Sequence, residues 1–438
     1  MRLSIFSVAR LRLTRELRRT RESPLVRNAG WMFCGQGLSV VSQGICFILL
    51  ARLMGSIECG IYFGAVAMVS IVSQYSPLGS HSVFLRYVSP NPKNFALYWG
   101  NVLVTTFTLG SLFVVLLTWA GPRIAHSYSH TMLLCIALGD CLCAQLTIAA
   151  GRVFQAFEKM RITAALNLLV NLLRMLLAGL MLWRLHHGTA RQWAFAALFV
   201  SSIAAGTALV LVTRQYGRPA YSAKLLRQRT GEGFIFSLSY STTGVYNDID
   251  KAMLGHYGMN AANGIYAMAY RVIDVACMPF VSIQAAAIPS FFRKGVNGVR
   301  STADYALRIA RRTGPVALLT MAAMLVAAPI IPHLLGSSFN ESVSALRWLC
   351  LIPVFRSLHF SAGDALTACG KLKLRVGIQV AAAAFNFRVN LYLIPLYSWR
   401  GAAWSSLVTD GLLAALNWTM LLWLTSRAAP RKAAAVEA

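Results

Sequence analysis

Apolar stretches follow one another along the whole chain, at roughly 30–54, 59–84, 95–119, 131–150, 162–183, 190–213, 233–255, 262–291, 313–335, 342–369, 376–397 and 401–425. A helix rising about 1.5 Å per residue needs about 20 residues to cross a hydrocarbon core, and each stretch is of that order. Twelve passes are therefore expected. The connections between them are short, the longest lying at 213–232 and 293–312. In lipid every backbone polar group has to be satisfied internally, which for runs this long means helices. The expected fold class is all-α, a polytopic membrane protein, with any function placed in the helices and their mouths.

The second half of the pattern repeats the first. Gly60-Ile61-Tyr62 opens the second span and Gly264-Ile265-Tyr266 opens the eighth, each a few residues after an earlier glycine, Gly55 or Gly258. Lys159 and Lys371 precede spans five and eleven, in which Asn171 and Asn386 lie at similar depths. Equivalent spans are six apart and so share an orientation. The pattern predicts a parallel repeat, two pseudo-symmetric six-helix lobes around a central cavity, with an axis along the membrane normal. The expected division is a basic tail at 1–27, a first lobe at 28–213, an inter-lobe connection at 214–232, a second lobe at 233–425 and a tail at 426–438.

Charge changes the picture in two ways. The chain of 438 residues is 57% hydrophobic and only 13% charged, yet its formal net charge is +27. Thirty of the 41 Lys and Arg residues fall on the side shared by both tails, and six fall opposite: Arg52, Arg123, Arg184, Arg191, Arg347 and Arg400. That asymmetry is the positive-inside rule, which places both tails in the cytoplasm. It accounts for the basicity without nucleic acid, and the segment MRLSIFSVARLRLTRELRRTRES is expected to lie on the inner leaflet. All nine cysteines lie in or beside spans without metal-type spacing, so free thiols are expected, with neither disulfides nor a metal site.

The second change is charge inside the membrane, where an ionised side chain at mid-depth costs at least about 2.5–3.5 kcal/mol. At about 1.5 Å per residue, Arg174 and Arg388 lie roughly 18 Å from the starts of spans five and eleven. By the same count, Arg271 and Arg356 lie about 14 and 20 Å from the outer ends of spans eight and ten. Four guanidiniums at similar depth on four helices suit an anion, above all phosphate, which they bind bidentately. Arg174, Arg271, Arg356 and Arg388, with Asn171 and Lys251, are therefore the candidates for a cationic substrate cavity. Asp248, Asp250, Asp274 and Asp364 are the candidates for ion coupling, with a H⁺ or Na⁺ gradient as the only cofactor-like requirement.

Helical spacing sorts some of these. Ser237, Ser241, Gly244, Asp248, Lys251 and Gly255 form one polar stripe on span seven, from which Asp250 points away. Asn167, Asn171 and Arg174 share a face of span five. Asn386 and Asn390 share a face that Arg388 does not, so at most one of those sets lines a cavity. The alternative for part of the set is structural: Arg271 with Asp274 at i, i+3, and Arg356 with Asp364, as neutral pairs. Asp140, Asp410, His81 and His359 read as packing contacts.

The run YNDIDKAMLGHYGMNAANGIYAMAYRVIDVACMPFVSIQAAAIPSFFR resembles spans seven and eight of the Wzx-type lipid-linked oligosaccharide flippases. These are polysaccharide biosynthesis and export proteins of the multidrug, oligosaccharidyl-lipid and polysaccharide exporter superfamily. RNAGWMFCGQGLSVVSQGICFILLARLMGSIECGIY and LYLIPLYSWRGAAWSSLVTD are similar to the family in the matching spans, so the likeness runs from about residue 26 to 425. The resemblance implies flipping of an undecaprenyl-pyrophosphate-linked repeat unit across the bacterial inner membrane, for O-antigen or exopolysaccharide. Its implied partners are that substrate, membrane lipids and the polysaccharide polymerase and chain-length machinery. An ion-coupled drug exporter of the same superfamily is the first rival. A membrane glycan polymerase or ligase, using outer histidines such as His126, His130, His186 or His187, is the second.

Overall fold

A computed structural model describes residues 24–427, and every regular element among them is helical. The expected inner-leaflet segment and most of the C-terminal tail lie outside the described residues. In order, the helices are α1 (Pro24–Ser73), α2 (Ser80–Val88), α3 (Phe95–Ile124), α4 (His130–Ala137), α5 (Ala144–Ala156), α6 (Met160–Leu185), α7 (Ala190–Tyr216) and α8 (Ala223–His256). There follow α9 (Asn260–Ala276), α10 (Met278–Gly295), α11 (Val299–Ala327), α12 (Ile331–Leu335), α13 (Ser342–Leu349), α14 (Ile352–Ala368), α15 (Leu372–Tyr397) and α16 (Trp399–Arg427). Much of the expected inter-lobe connection is thus helical, because α8 begins at Ala223, capped by the Ser222 hydroxyl.

Among the described residues seven helices are long and apolar enough to cross a membrane, or up to nine when each bent pair counts as one span. The pairs are α9 with α10, bent by 51°, and α13/α14, bent by 45°. Pro279 and Pro353 stand at the start of the second member of each, where a missing N–H costs least. The expected twelve passes are reached by reading α1 as two and adding α8 and α15. Polar residues such as Asp248, Asp250, Lys251, Asn386 and Asn390 make those two helices less apolar. The break in α1 is Gly55, whose φ of 68° is a left-handed conformation that side chains disfavour. With twelve passes, an even number, the two ends of the described chain fall on one side, here called the tail face; the other is the distal face.

Each half has its own interior. Phe84, Phe95, Trp99 and Phe154 form one cluster of the first half and Tyr128, Leu133 and Ile136 another. Phe291, Ile309, Leu366 and Leu413 form that of the second. A further cluster joins the halves, with Leu50, Phe63 and Trp193 packed among Tyr266, Ile273, Phe280 and Leu349. Between helices in lipid there is little hydrophobic driving force, so close backbone approach matters more. The matched glycines supply it. A Cβ on Gly60 would overlap the carbonyl oxygen of Asn260, and one on Gly264 would overlap that of Ser56. Each glycine sits on the carbonyl four residues before its counterpart. The G-I-Y repeat therefore meets itself on the pseudo-two-fold axis.

Candidate functional site

The charged and polar side chains of the spans occupy three separate places: the seam between the halves, the interior of the second half, and a cavity inside the first. Along the seam, α8 lies against the second part of α1. The Ser70 hydroxyl donates to Asp248 at 2.8 Å and that of Ser237 to the Gln74 carbonyl at 3.2 Å. Asp248 also pairs with Lys251 at 2.8 Å, and Tyr128 fills the gap between Gly64 and Gly255. The polar stripe of span seven thus serves mainly to pack one half against the other. Near the distal face Asn260 donates to Ser127 at 2.9 Å, and His256 bonds the Ile124 carbonyl. Arg52 donates to the carbonyls of Leu334 and His333 at 2.7 and 3.0 Å, so this end is closed.

The pseudo-equivalent seam, between the first part of α1 and α9, is open. A groove of about 580 Å³ runs there, walled by Phe47, Ile48, Val272, Val316, Leu319 and other apolar side chains. Val275 and Leu319 are exposed, which opens the groove at the surface of the bundle. Arg271 is its one charged lining residue among those described. Its guanidinium lies 4.7 Å from the Phe47 ring centre and 5.7 Å from that of Phe63. This corrects the i, i+3 pairing of Arg271 with Asp274. Asp274 instead accepts from Arg356 at 2.9 Å, which leaves the Arg271 fork facing the groove. Long-range pairing prevails because Arg356 is only 8% exposed, and a buried guanidinium needs close carboxylate partners more than a part-exposed one does.

Arg356 is the centre of the second half's network. It also donates to the Asn247 amide oxygen at 3.3 Å and lies 3.9 Å from Asp410, which lies 3.7 Å from His359. The pairing of Arg356 with Asp364 is corrected as well: Asp364 pairs with Arg375 at 3.1 Å, toward the tail face. Asp250 is fully buried and accepts from the Tyr266 and Ser406 hydroxyls and the Lys251 amide. The hydrogen bonds to Asp250 tie α8, α9 and α16 together, and buried networks of this kind hold helices in one arrangement. Asn386 donates to Thr409 at 3.0 Å and Asn390 to Asn386 at 2.9 Å, both buried. Arg388, two residues or about 200° away, stands on the exposed face of α15. The structure brings no two of the four guanidiniums into a common cavity: Arg174, Arg271 and Arg356 occupy three separate places and Arg388 stands apart from all of them.

The cavity of the first half measures about 340 Å³ and lies between α1, α5, α6 and α7, with Asp140 entering from the end of α4. Arg174, Asn171, Asn167, Gln36, Gln43 and Ser201 line it. Arg174 donates to the Ser201 hydroxyl at 3.0 Å. Asp140 sits on a π-helical turn, Leu138–Cys143, that interrupts the span. Spacing at 3.6 residues per turn cannot anticipate that turn, and Asp140 was for that reason legible only as a packing contact. Asp410, read as a packing contact, and Ser70 were also missed as members of charged networks. Asp410 carried the one available signal, a carboxylate in an apolar span.

The polysaccharide biosynthesis protein family matches residues 25–294. No curated protein matches the sequence. Among solved structures, a multidrug resistance MATE family transporter in its inward-facing conformation superposes with a TM-score of 0.73 at 15% identity, over 93% of this chain and 100% of that one. The lipid II flippase MurJ, in an inward closed conformation, gives 0.75 at 12% identity, over 90% and 87%. An outward-facing MATE transporter gives 0.60 at 13%, over 92% and 97%. The fold is that of a two-lobed membrane transporter.

Proposed function

The chain belongs to the polysaccharide biosynthesis protein family, and we propose that within it the protein flips a lipid-linked oligosaccharide. The substrate is an undecaprenyl-pyrophosphate-linked repeat unit, moved from the cytoplasmic to the outer leaflet of a bacterial inner membrane for O-antigen or exopolysaccharide. The observation that carries this reading is Arg271 at the wall of an apolar, surface-open groove. A ligand with an anionic head and a long hydrocarbon tail matches both features at once. Each uncompensated hydroxyl costs about 4–8 kcal/mol to move into hydrocarbon, so unassisted crossing of the sugars is forbidden. A polar passage that leaves the tail in the bilayer removes that cost.

On this reading the tail face is cytoplasmic, as the distribution of Lys and Arg requires. The distal contacts of Arg52, Gly60 and Gly264 close the outer end, and transport alternates between this arrangement and one in which they part. Likeness to inward conformations of MATE and MurJ supports that assignment. Asp248, part-exposed on the seam and paired with Lys251, is the coupling carboxylate of choice for H⁺ or Na⁺. The polymerase and chain-length machinery receives the product. An exporter of cationic drugs fits less well, because a guanidinium lines the groove.

The test uses a host strain lacking this protein, with labelled lipid-linked oligosaccharide and a probe that cannot cross the membrane. Intermediates trapped on the cytoplasmic side and released by wild type but not by Arg271→Ala support the reading. Single repeat units that still reach the outer leaflet while their polymerisation fails overturn it in favour of a glycan-assembling enzyme.

A further inference from the structure

The cavity of the first half has features that packing does not explain. At 340 Å³ it lies at the lower end of small-ligand sites, about 300–1,000 Å³. Two of its charged groups are incompletely partnered. Arg174 bonds Ser201 through one terminal nitrogen, while its buried Nε has no acceptor. Asp140 forms no ion pair with Arg174 and no hydrogen bond among the described residues. Asn171 uses its amide nitrogen on the Asn167 carbonyl and keeps its side-chain oxygen free. Of these only the Arg174 Nε is buried, and a buried donor left open is unusual in a packed interior; the part-exposed Asp140 carboxylate and Asn171 oxygen face the same cavity and are free to meet a ligand.

The backbone supports the same conclusion. A π-turn is rare and less favourable than the α-helix it interrupts, and such turns recur at functional sites. Here it lies at Asp140, on the wall of the cavity. The void on its other side, against Tyr62, is only about 10 Å³, so a ligand enters from the larger cavity.

Charge selects the ligand class. One guanidinium faces one carboxylate, so the cavity does not favour a phosphate, which Asp140 would repel. A lone inorganic cation is disfavoured by Arg174 for the same reason. A neutral polyol fits both: Asp140 accepts from two hydroxyls, while Arg174 and the amides of Asn167, Asn171 and Gln43 supply donors and acceptors around a ring. Gln43 lines this cavity and Gly44, the next residue, lines the groove that holds Arg271. One helix therefore separates the two places at the same height, adjacent Cα atoms being about 3.8 Å apart.

We propose that this cavity is a sugar-recognition subsite, binding one uncharged glycosyl unit of the transported head group between Asp140 and Arg174. The proposal rests on the flippase reading and adds to it a separation of tasks: Arg271 engages the pyrophosphate, and the first half reads the sugar.

The experiment reconstitutes the full-length protein in vesicles and follows two probes, the host's own lipid-linked oligosaccharide and sugar-free undecaprenyl pyrophosphate. Wild type moves the sugar-bearing probe faster at limiting concentration. Asp140→Asn reduces the ratio of the two fluxes about tenfold, the worth of one charge-assisted hydrogen bond, and Asn167→Ala, a gentler change on an exposed position, about threefold, the worth of a neutral one. A ratio unchanged in both variants, or equal loss for both probes, overturns the subsite and leaves the flippase standing. A wild type that moves neither probe overturns the flippase instead. Saturation-transfer NMR with methyl α-D-glucopyranoside and methyl α-D-mannopyranoside, on protein in nanodiscs, then decides the subsite. Ring-proton signals that weaken in both variants uphold it; signals equal in variants and wild type, or equal to empty nanodiscs, overturn it.

Discussion

Arg271 and Arg356 show how differently two intramembrane arginines can be placed. Arg356 is enclosed by Asp274, Asn247 and Asp410, and its removal leaves two carboxylates without their cation. Arg356→Ala should therefore destabilise the protein by about 3–5 kcal/mol, seen as a large fall in the midpoint of thermal unfolding in detergent. Arg271 has aromatic faces on one side and a groove on the other, so Arg271→Ala should leave that midpoint within a few degrees and lower transport. Arg271→Lys should restore little, because an ammonium keeps the charge but loses the fork and the stacking on Phe47. Equal loss of stability in both alanine variants, read by thermal unfolding, would contradict this division. Residue-scale legibility was uneven for the same reason. Counting separated Arg388 from the face of Asn386 and Asn390, but which of the two faces is exposed came only from the packing of α15. The partner of Asp274 did not, because it is set by how α9 meets α14, some 80 residues later in the chain.

Among the elements, spans and repeat were legible because both are periodic. Apolar runs recur at membrane length, and G-I-Y recurs at the same place in each half. Breaks were less so. Gly55 and the bends before Pro279 and Pro353 carry local signals, but the π-turn at Asp140 carries none, having neither proline nor glycine pair at its centre. The seam gives a prediction that belongs at this scale. Gly264→Leu places a side chain where the Ser56 carbonyl lies, so it should hold α9 away from α1. Cysteines at Ser56 and Asn260, in a background without the native thiols, should cross-link with a short reagent in the otherwise unmodified protein. The yield should fall severalfold when Gly264→Leu is added. Cross-linking that persists undiminished would show that the helices do not meet as described.

At the scale of the molecule, the distal face is closed by contacts from both halves while one flank of the seam stays open as an apolar groove. If transport proceeds by the proposed alternating access, the distal contacts break and reform in each cycle. The cross-link between Ser56 and Asn260 should stop flux, and a cleavable reagent should let reduction restore it. Topology can be checked with a membrane-impermeant maleimide. Arg300→Cys, near the start of α11, should label only from the cytoplasmic side, and Arg347→Cys, on α13, only from outside. Labelling of both from one side would remove the basis for the direction of flipping.

The meeting of Gly60 with Gly264 has a consequence for ancestry. A residue on a two-fold axis touches its own image, so whatever stands there has to fit itself, as at the centre of an isologous dimer. Each glycine here rests on the carbonyl four residues before its counterpart, and the relation is unchanged when the halves are exchanged. Two separate six-helix chains bearing the first half's pattern would make the same contact. The joined protein thus retains, at its centre, an interface of the kind that a pair of identical subunits would need.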